Sequence, residues 1–319
     1  MLEDNTGEFS ESGHLGCPGC GEAISLRLVL ETIGTDAIMV VPACCASYVD
    51  GIWPHSAARI PLLHVAFGTT VAAAAGIRAA LEVKGQNRTC VLAWAGGSGA
   101  FDSGIRAISS AADRNEDILY VCYNNESYDN IDYHCVGSGE NARSSNAASR
   151  RRYPSQKNVM EIMAAHRIPF CATACVAYPE DLVGKVRKAI SIPGFKFLHL
   201  LSPCPTHWEI PSELSIEMSR AAVQTRFFPL YEIESGKYTI NVQPEAFAPV
   251  TKFLSRQGRF ASLSADSVRN IQHQVELQWR RLLRKVELSR PSEHHSVKNN
   301  AGQPVAGDRS TSKSTPRRD

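Results

Sequence analysis

Residues 89–125 decide the fold class, and they read TCVLAWAGGSGAFDSGIRAISSAADRNEDILYVCYNN. Apolar and β-branched runs extend over Thr89–Trp94 and Ile118–Tyr123, and both have the composition of buried strands. Between them, Asp102–Arg114 has the periodicity of a helix. A strand, a helix and a second strand at this spacing predict a βαβ unit, with two parallel strands in one sheet.

The same alternation continues on both sides of this unit. Further strands are predicted over Ala37–Val41 and Phe195–Leu201. The helices predicted between the strands cover Glu22–Ile33, Thr69–Leu81, Val159–Ala165 and Pro179–Ile190. The chain is therefore predicted to have an α/β fold, with a doubly wound and mostly parallel sheet covered by helices on both faces.

The alternation stops after Tyr231, so we predict one domain over residues 1–235. The segment 236–288 is predicted to form a helical C-terminal arm, because Leu263–Leu288 has a helical pattern that Ser264 can cap. Residues 289–319 have low complexity and are predicted to be disordered. They carry six Lys or Arg and three Asp or Glu, a balance more typical of a solubilising tail than of a nucleic-acid arm.

The composition of the whole chain narrows the classes of partner. A net charge of +2 over 319 residues gives no reason to expect nucleic acid as a partner. The N-terminus is acidic and polar, and no run of about 18 apolar residues occurs, so neither a secretory signal nor a membrane span is expected. A cytoplasmic location follows by default, and thiols stay reduced there. The ten cysteines therefore indicate metal or cluster ligation rather than disulfides.

Several of these cysteines fall where parallel strands are predicted to end. Cys17-Pro-Gly-Cys20 is a C-x-x-C motif before a helix, a pattern found in redox dithiols, zinc sites and iron–sulfur sites. No strand precedes it, which disfavours a thioredoxin-like dithiol. Cys44-Cys45 follows the first predicted strand, and Cys204 follows the last. We expect these three loops to converge, and four thiolates there suit either a [4Fe–4S] cluster or a structural zinc.

The remaining cysteines are given other roles. Cys135 lies in an irregular segment and is the one that can be a reactive thiol. The four predicted to be buried apolar side chains are Cys90, Cys122, Cys171 and Cys175.

The loop Gly96-Gly97-Ser98-Gly99 joins a predicted strand to a predicted helix. Its backbone N–H groups can bind the diphosphate of a cofactor, or the loop can be a structural turn with Asp102 as a capping residue. Asn125 stands at the end of the next strand. This combination resembles the thiamine diphosphate motif, in which Gly-Asp-Gly and a downstream Asn hold a magnesium ion against the diphosphate.

Several separated motifs in one order resemble a single family. They are GHLGCPGCGE at 13–22, EDILYVCYNNESYDN at 116–130, AYPED at 177–181, LLSPCPT at 200–206 and FPLYE at 228–232. Together they resemble the β subunit of a 2-oxoacid:ferredoxin oxidoreductase of the pyruvate synthase type. The resemblance implies thiamine diphosphate, Mg²⁺ and a [4Fe–4S] cluster as cofactors.

The resemblance also implies a role for individual residues. The cluster ligands would be the C-x-x-C pair, a cysteine 25 residues after Cys20, and the Pro-Cys-Pro cysteine, which gives the set Cys17, Cys20, Cys45 and Cys204. Glu22 would lie beside thiamine diphosphate, whose diphosphate the loop Gly96–Gly99 would hold. Asn125 and Ser127 would supply a side-chain and a carbonyl ligand to magnesium, and Asn130 would line the reacting centre.

The implied reaction is the oxidative decarboxylation of a pyruvate-like 2-oxoacid to an acyl-CoA, with electrons passing through the cluster to ferredoxin. The implied partners are an α subunit with the pyrimidine-side thiamine domain, and γ and ferredoxin-like δ subunits. The chain would be active only with these partners.

The sequence departs from the family pattern where the cofactor ligands are expected. Gly97 stands at the position of the magnesium aspartate. Gly68-Thr69 replaces a Glu-Asn pair, and Ile131–His134 replaces Thr-Gly and a following Gln. His134 can contact an anionic substrate or be a solvated loop residue. Two alternatives to the enzyme subunit therefore stand: a diverged non-catalytic subunit that keeps the cluster for electron transfer, and a zinc-stapled α/β binding protein.

Overall fold

The computed structural model describes residues 14–51, 56–125, 158–244 and 247–290. Their strands form one eight-stranded sheet in the order β2-β1-β3-β4-β6-β5-β7-β8. The bounds are Ala37–Pro42 (β1), Leu62–Val65 (β2), Cys90–Gly96 (β3), Leu119–Asn124 (β4), Phe170–Cys175 (β5), Lys196–Leu201 (β6), Leu230–Glu234 (β7) and Lys237–Val242 (β8). The pairs from β2 to β5 are parallel, and β7 and β8 are antiparallel, so the predicted mostly parallel sheet is confirmed.

The described helices are Gly21–Ile33 (α1), Cys45–Asp50 (α2), Thr70–Val83 (α3), Ile105–Asp113 (α4), Val159–Ala165 (α5), Pro179–Ser191 (α6), Pro205–Trp208 (α7), Ser215–Gln224 (α8), Thr251–Leu254 (α9) and Ala265–Leu288 (α10). A π-helical turn, Gly99–Ser103, precedes α4. None of the helices in the described part of the chain is long and apolar enough to cross a membrane.

The sheet has an apolar layer on each face, as predicted for a doubly wound fold. Neighbouring residues of β1 show the alternation: Val40 packs in the layer that includes α3, α4 and α5, whereas Met39 and Val41 pack in the layer that includes α1, α2 and α6. Strands buried on both faces need apolar residues at every position, and β3 and β4 have them.

Four strands were not predicted. β2 is a short edge strand, and β5 consists largely of small residues, so neither has a strong apolar pattern. β7 and β8 form a hairpin whose turn, Ser235-Gly236, has positive φ at both residues. The predicted domain boundary at residue 235 falls inside this turn, and β8 adds a strand to the segment predicted as a helical arm.

The predicted helix in the C-terminal segment and its cap are confirmed. α10 begins at Ala265, and the Ser264 hydroxyl accepts a hydrogen bond of 3.1 Å from Ser267 N. Its apolar stripe, which includes Trp279 and Leu282, packs against the sheet. Cys122, Cys171 and Cys175 are buried as predicted, while Cys90 at the start of β3 is only partly buried.

The packing of α10 against the sheet can be tested by substituting two adjacent leucines. Leu282 is 7% exposed and Leu283 is 40% exposed. We expect Leu282→Ala to lower the free energy of unfolding by about 2–4 kcal/mol, because the truncation leaves a void between α10 and the sheet. Leu283→Ala should change it by less than about 0.5 kcal/mol. Urea unfolding followed by far-UV circular dichroism measures both, and equal effects would show that α10 is not seated as described.

Candidate active site

The loop Cys17–Cys20 and the loop that carries Cys204 are fixed to one another. The N–H group of Cys20 donates to the Cys17 carbonyl at 3.0 Å, which closes a tight turn. Gly19 in this turn has a φ of +70°, and a Cβ there would lie 2.3 Å from the Ser212 carbonyl oxygen. Only glycine fits this position, because it lacks a Cβ and tolerates positive φ.

The next residue joins the two loops directly. Gly21 N donates to the Pro203 carbonyl at 2.9 Å, and a Cβ on Gly21 would lie 2.3 Å from Pro203 Cδ. The Thr206 hydroxyl donates to Cys17 Sγ at 3.8 Å. Cys17 and Cys204 therefore lie on neighbouring loops, although they are far apart in the sequence.

The third cysteine position, Cys45, is the first residue of α2, three residues past the end of β1. Asn125 Nδ2 donates to Cys45 Sγ at 3.9 Å, and Trp208 Nε1 donates to the Asn125 carbonyl at 2.9 Å. These two contacts tie the ends of β1 and β4 to α7. The structure thus brings Cys17, Cys20, Cys45 and Cys204 to one edge of the sheet, together with Asn125.

The electrostatics of the thiols show the same proximity. Burial raises the pKa of Cys45 to about 12, with further increases from Glu22, Cys44, Cys204 and Cys20. Burial also raises the pKa of Cys20 to about 11. A centre of high positive charge would have to bind these thiols to make them thiolates at neutral pH, with release of their protons.

The four thiols are a donor set for either an iron–sulfur cluster or a single zinc ion. Tetrahedral zinc with bonds of about 2.3 Å needs sulfur atoms roughly 3.8 Å apart. Among the described residues, no three or more His, Cys, Asp or Glu side chains are grouped so that they could hold one metal ion. In a [4Fe–4S] cluster each thiolate binds a different iron atom, so its ligands stand farther apart.

Glu22 lies behind the cysteine loops in a buried polar network. It is 2% exposed, and burial raises the pKa of its carboxyl group to about 8, although hydrogen bonds from Trp94 and Tyr123 oppose the rise. Trp94 Nε1 donates to Glu22 Oε1 at 3.3 Å, and the two aromatic rings stack with centroids 5.8 Å apart. The carboxyl group is therefore largely protonated at neutral pH and is held by two adjacent strands.

Cys44 connects the cysteine loops to the glycine-rich segment. Its thiol is hydrogen-bonded with the Tyr123 hydroxyl and with the backbone of Ala46 and Gly96, and burial raises its pKa. Cys44 thus occupies a structural position between β3 and β4.

The segment Gly96–Gly99 is more compact than the predicted loop. β3 runs to Gly96, and helical geometry begins at Gly97, directly before the π-helical turn. A Cβ on Gly96 would lie 3.1 Å from the Tyr123 ring, so β3 and β4 leave little space for a side chain here. π-helical turns of this kind are often found at functional sites.

Ser98 carries the observation that favours a ligand at this segment. It is 8% exposed, and its buried Oγ has no hydrogen-bond partner in the described part of the chain. A buried hydroxyl without a partner is costly, and an oxygen-rich group such as a diphosphate or a hydrated magnesium ion would satisfy it. Gly97, by contrast, offers no side-chain ligand.

Two predicted site residues, Ser127 and Asn130, lie outside the described residues, as do Ile131–His134 and Cys135. Sequence reasoning missed Trp94, Tyr123 and Thr206. A signal was present for the first two, because each carries a polar donor near the end of an otherwise apolar strand. Thr206 gave no signal, since its contact with Cys17 depends on the meeting of distant loops.

Comparison with solved structures supports the fold. The 2-oxoglutarate:ferredoxin oxidoreductase from Magnetococcus marinus matches with a TM-score of 0.51, at 15% identity, over 89% of this chain and 95% of that chain. At this identity the match concerns the fold alone.

Comparison by sequence identifies the family. The model of the C-terminal TPP-binding domain of thiamine pyrophosphate enzymes matches residues 47–200. Ketoisovalerate oxidoreductase subunit VorB of Pyrococcus horikoshii is 41% identical over 87% of this chain and 93% of its own length. Pyruvate synthase subunit PorB of Methanocaldococcus jannaschii is 39% identical over 84% of this chain and 94% of its own length. The chain therefore belongs to the family of 2-oxoacid:ferredoxin oxidoreductase β subunits that includes VorB and PorB.

Proposed function

We propose that the chain is the β subunit of a 2-oxoacid:ferredoxin oxidoreductase that converts a pyruvate-like 2-oxoacid to an acyl-CoA. The observation that carries the proposal is the meeting of Cys17, Cys20, Cys45 and Cys204 beside the buried Glu22, within a chain that matches a thiamine diphosphate domain. Pyruvate and ketoisovalerate appear in the names of the relatives, so a small 2-oxoacid is the substrate class that we infer.

The four cysteines would hold a [4Fe–4S] cluster. Cys20 and Cys204 are partly buried and Cys45 is exposed, and the pKa of Cys45 is raised by Cys204 and Cys20. Solvent exposure and hydrogen bonds to the sulfurs help to set the potential of a bound cluster. Asn125 would add a hydrogen bond from its amide to the Cys45 sulfur. Such bonds to cluster sulfurs are one of the means by which a protein tunes the reduction potential.

Thiamine diphosphate would lie against the segment Gly96–Gly99, with Ser98 hydrogen-bonded to its diphosphate or to the magnesium shell. The bound cofactor supplies the electron sink for decarboxylation. Asn125 and Ser127 would hold magnesium, Glu22 would stand near the cofactor, and Asn130 would line the reacting centre. With glycine at position 97, water must take the place of the missing carboxylate ligand.

The active enzyme would be a complex. The relatives are named as subunits, and this chain covers more than nine-tenths of their length, at 93% and 94%. We infer an α subunit with the pyrimidine-side thiamine domain, γ and ferredoxin-like δ subunits, and ferredoxin as the electron acceptor. A cytoplasmic location is part of the same proposal.

One observation keeps a second function open. Gly97 removes a negative charge from the magnesium site, which favours a non-catalytic subunit that uses only the cluster for electron transfer. Cofactor content of the complex distinguishes the two functions. The third hypothesis, a zinc-stapled binding protein, predicts stoichiometric zinc and no reducible chromophore.

The cluster assignment is tested by serine substitutions in the complex, purified without oxygen. We expect Cys20→Ser, Cys45→Ser and Cys204→Ser each to lose iron and the broad visible absorbance that dithionite bleaches. Cys44→Ser is the matched control, because serine keeps the hydrogen bonds with Tyr123 and Gly96, and it should retain iron. If Cys44→Ser loses iron while Cys45→Ser keeps it, the ligand assignment is wrong.

The magnesium site is tested by restoring the carboxylate. We expect Gly97→Asp to tighten magnesium-dependent thiamine diphosphate binding by about tenfold or more, since a charged hydrogen-bonding or metal-binding group contributes about 1.5–3 kcal/mol. Gly97→Ala controls for the added Cβ and should not tighten binding. Isothermal titration of the complex with thiamine diphosphate, with and without Mg²⁺, measures the change. An equal affinity for all three proteins would mean that the segment does not hold the diphosphate.

A further inference from the structure

A cavity of about 340 Å³ lies where α10 packs against the start of α5 and the segment that leads into β7. None of the candidate active-site residues lines it. The charged residues that line it are Arg226, Arg281, Lys285 and Glu161. Cavities of this volume are within the range that binds small molecules.

Arg226 is held rigidly in the wall of this cavity. Its guanidinium group lies between two aromatic rings, 4.4 Å from the centroid of Phe247 and 4.8 Å from that of Trp279. Its backbone also has a left-handed conformation, with a φ of +59°. The position of the group is therefore determined before any ligand binds.

One donor of this guanidinium group lacks an acceptor among the described residues. The buried Nε–H of Arg226 has no hydrogen-bond partner within the described residues, and no ion pair of Arg226 is present there. Burial lowers the pKa of Arg226 from its ordinary value, yet arginine keeps its charge at neutral pH. A buried donor on a charged group is costly when no acceptor is bound.

The charges around the cavity do not cancel. Glu161 already pairs with Lys285 and accepts a hydrogen bond of 3.2 Å from the Tyr238 hydroxyl. Arg281 forms no ion pair with any described residue. Three cations and one carboxylate give a local charge of +2.

We propose that this cavity binds a phosphate group, either as free phosphate or as the monoester of a small metabolite. A local charge of +2 matches a phosphate dianion better than a monocarboxylate. Guanidinium groups donate two parallel hydrogen bonds to phosphate oxygens, and Arg226 and Arg281 both line this cavity. The bound anion would satisfy Arg226 Nε and would hold α10 against the body of the fold.

Binding is measured by isothermal titration of the complex that contains the full chain, at low ionic strength, with inorganic phosphate, glycerol 3-phosphate and acetate. We expect saturable binding of inorganic phosphate or glycerol 3-phosphate and none of acetate. Arg226→Gln and Arg281→Gln should each weaken binding by about tenfold or more, the loss expected for one charge-assisted hydrogen bond. The matched control is Arg284→Gln, which lies exposed on α10 outside the cavity and should change the affinity by less than about twofold.

Arg281→Gln keeps the test valid if Arg226→Gln fails to fold, since Arg281 is exposed. Tighter binding of glycerol 3-phosphate than of phosphate would identify a metabolite monoester as the ligand, and the reverse would identify free phosphate. Absence of saturable binding to the unsubstituted protein would overturn the proposal. So would equal weakening by Arg284→Gln, or acetate binding as tight as phosphate binding.

Discussion

Parallel hydrogen bonding between β1, β3, β4 and β6 is the constraint on which the candidate site depends. Parallel strands present their carboxyl ends at one edge of a sheet, and the register pairs Gly96 of β3 with Tyr123 of β4 and Asn124 of β4 with Leu201 of β6. The segments that follow these strands begin side by side. The cysteine loops, the glycine-rich segment and Asn125 are therefore neighbours because of strand pairing, before any side chain interacts.

Close backbone approach then sets the finer geometry. Gly21 lies against Pro203 at a distance that excludes any side chain, and Gly96 lies close against Tyr123. These contacts bring the thiols of distant loops together and lay the glycine-rich segment beside them. Cys44 takes part in this arrangement through hydrogen bonds with Tyr123, Ala46 and Gly96, which give it a structural role next to Cys45.

The candidate site has a cysteine half, formed by the four cysteines, and a magnesium half, formed by Gly96–Gly99 and Asn125. The two halves differ in how many of the expected ligands they contain. The cysteine half has four thiols, two of them partly buried and two exposed, and supporting hydrogen bonds from Thr206 and Asn125. The magnesium half has Ser98 with an unsatisfied hydroxyl, but glycine at position 97 where the family pattern has aspartate. A divalent ion at such a site is held by fewer charges, so its affinity would depend more on the diphosphate itself.

The features that depend on local pattern could be predicted from the sequence. Periodicity located β1, β3, β4, β6 and the helices around them, and Ser264 marked the start of α10. It did not reveal β2, β5, β7 and β8, since short or small-residue strands are defined by their partners rather than by their own composition. Tertiary contacts alone bury Glu22 beneath Trp94 and Tyr123. They also place Arg226 in the lining of a cavity, with no partner for its Nε–H among the described residues. Burial and hydrogen bonding bring together residues that are far apart in the chain, so no local sequence pattern predicts these contacts.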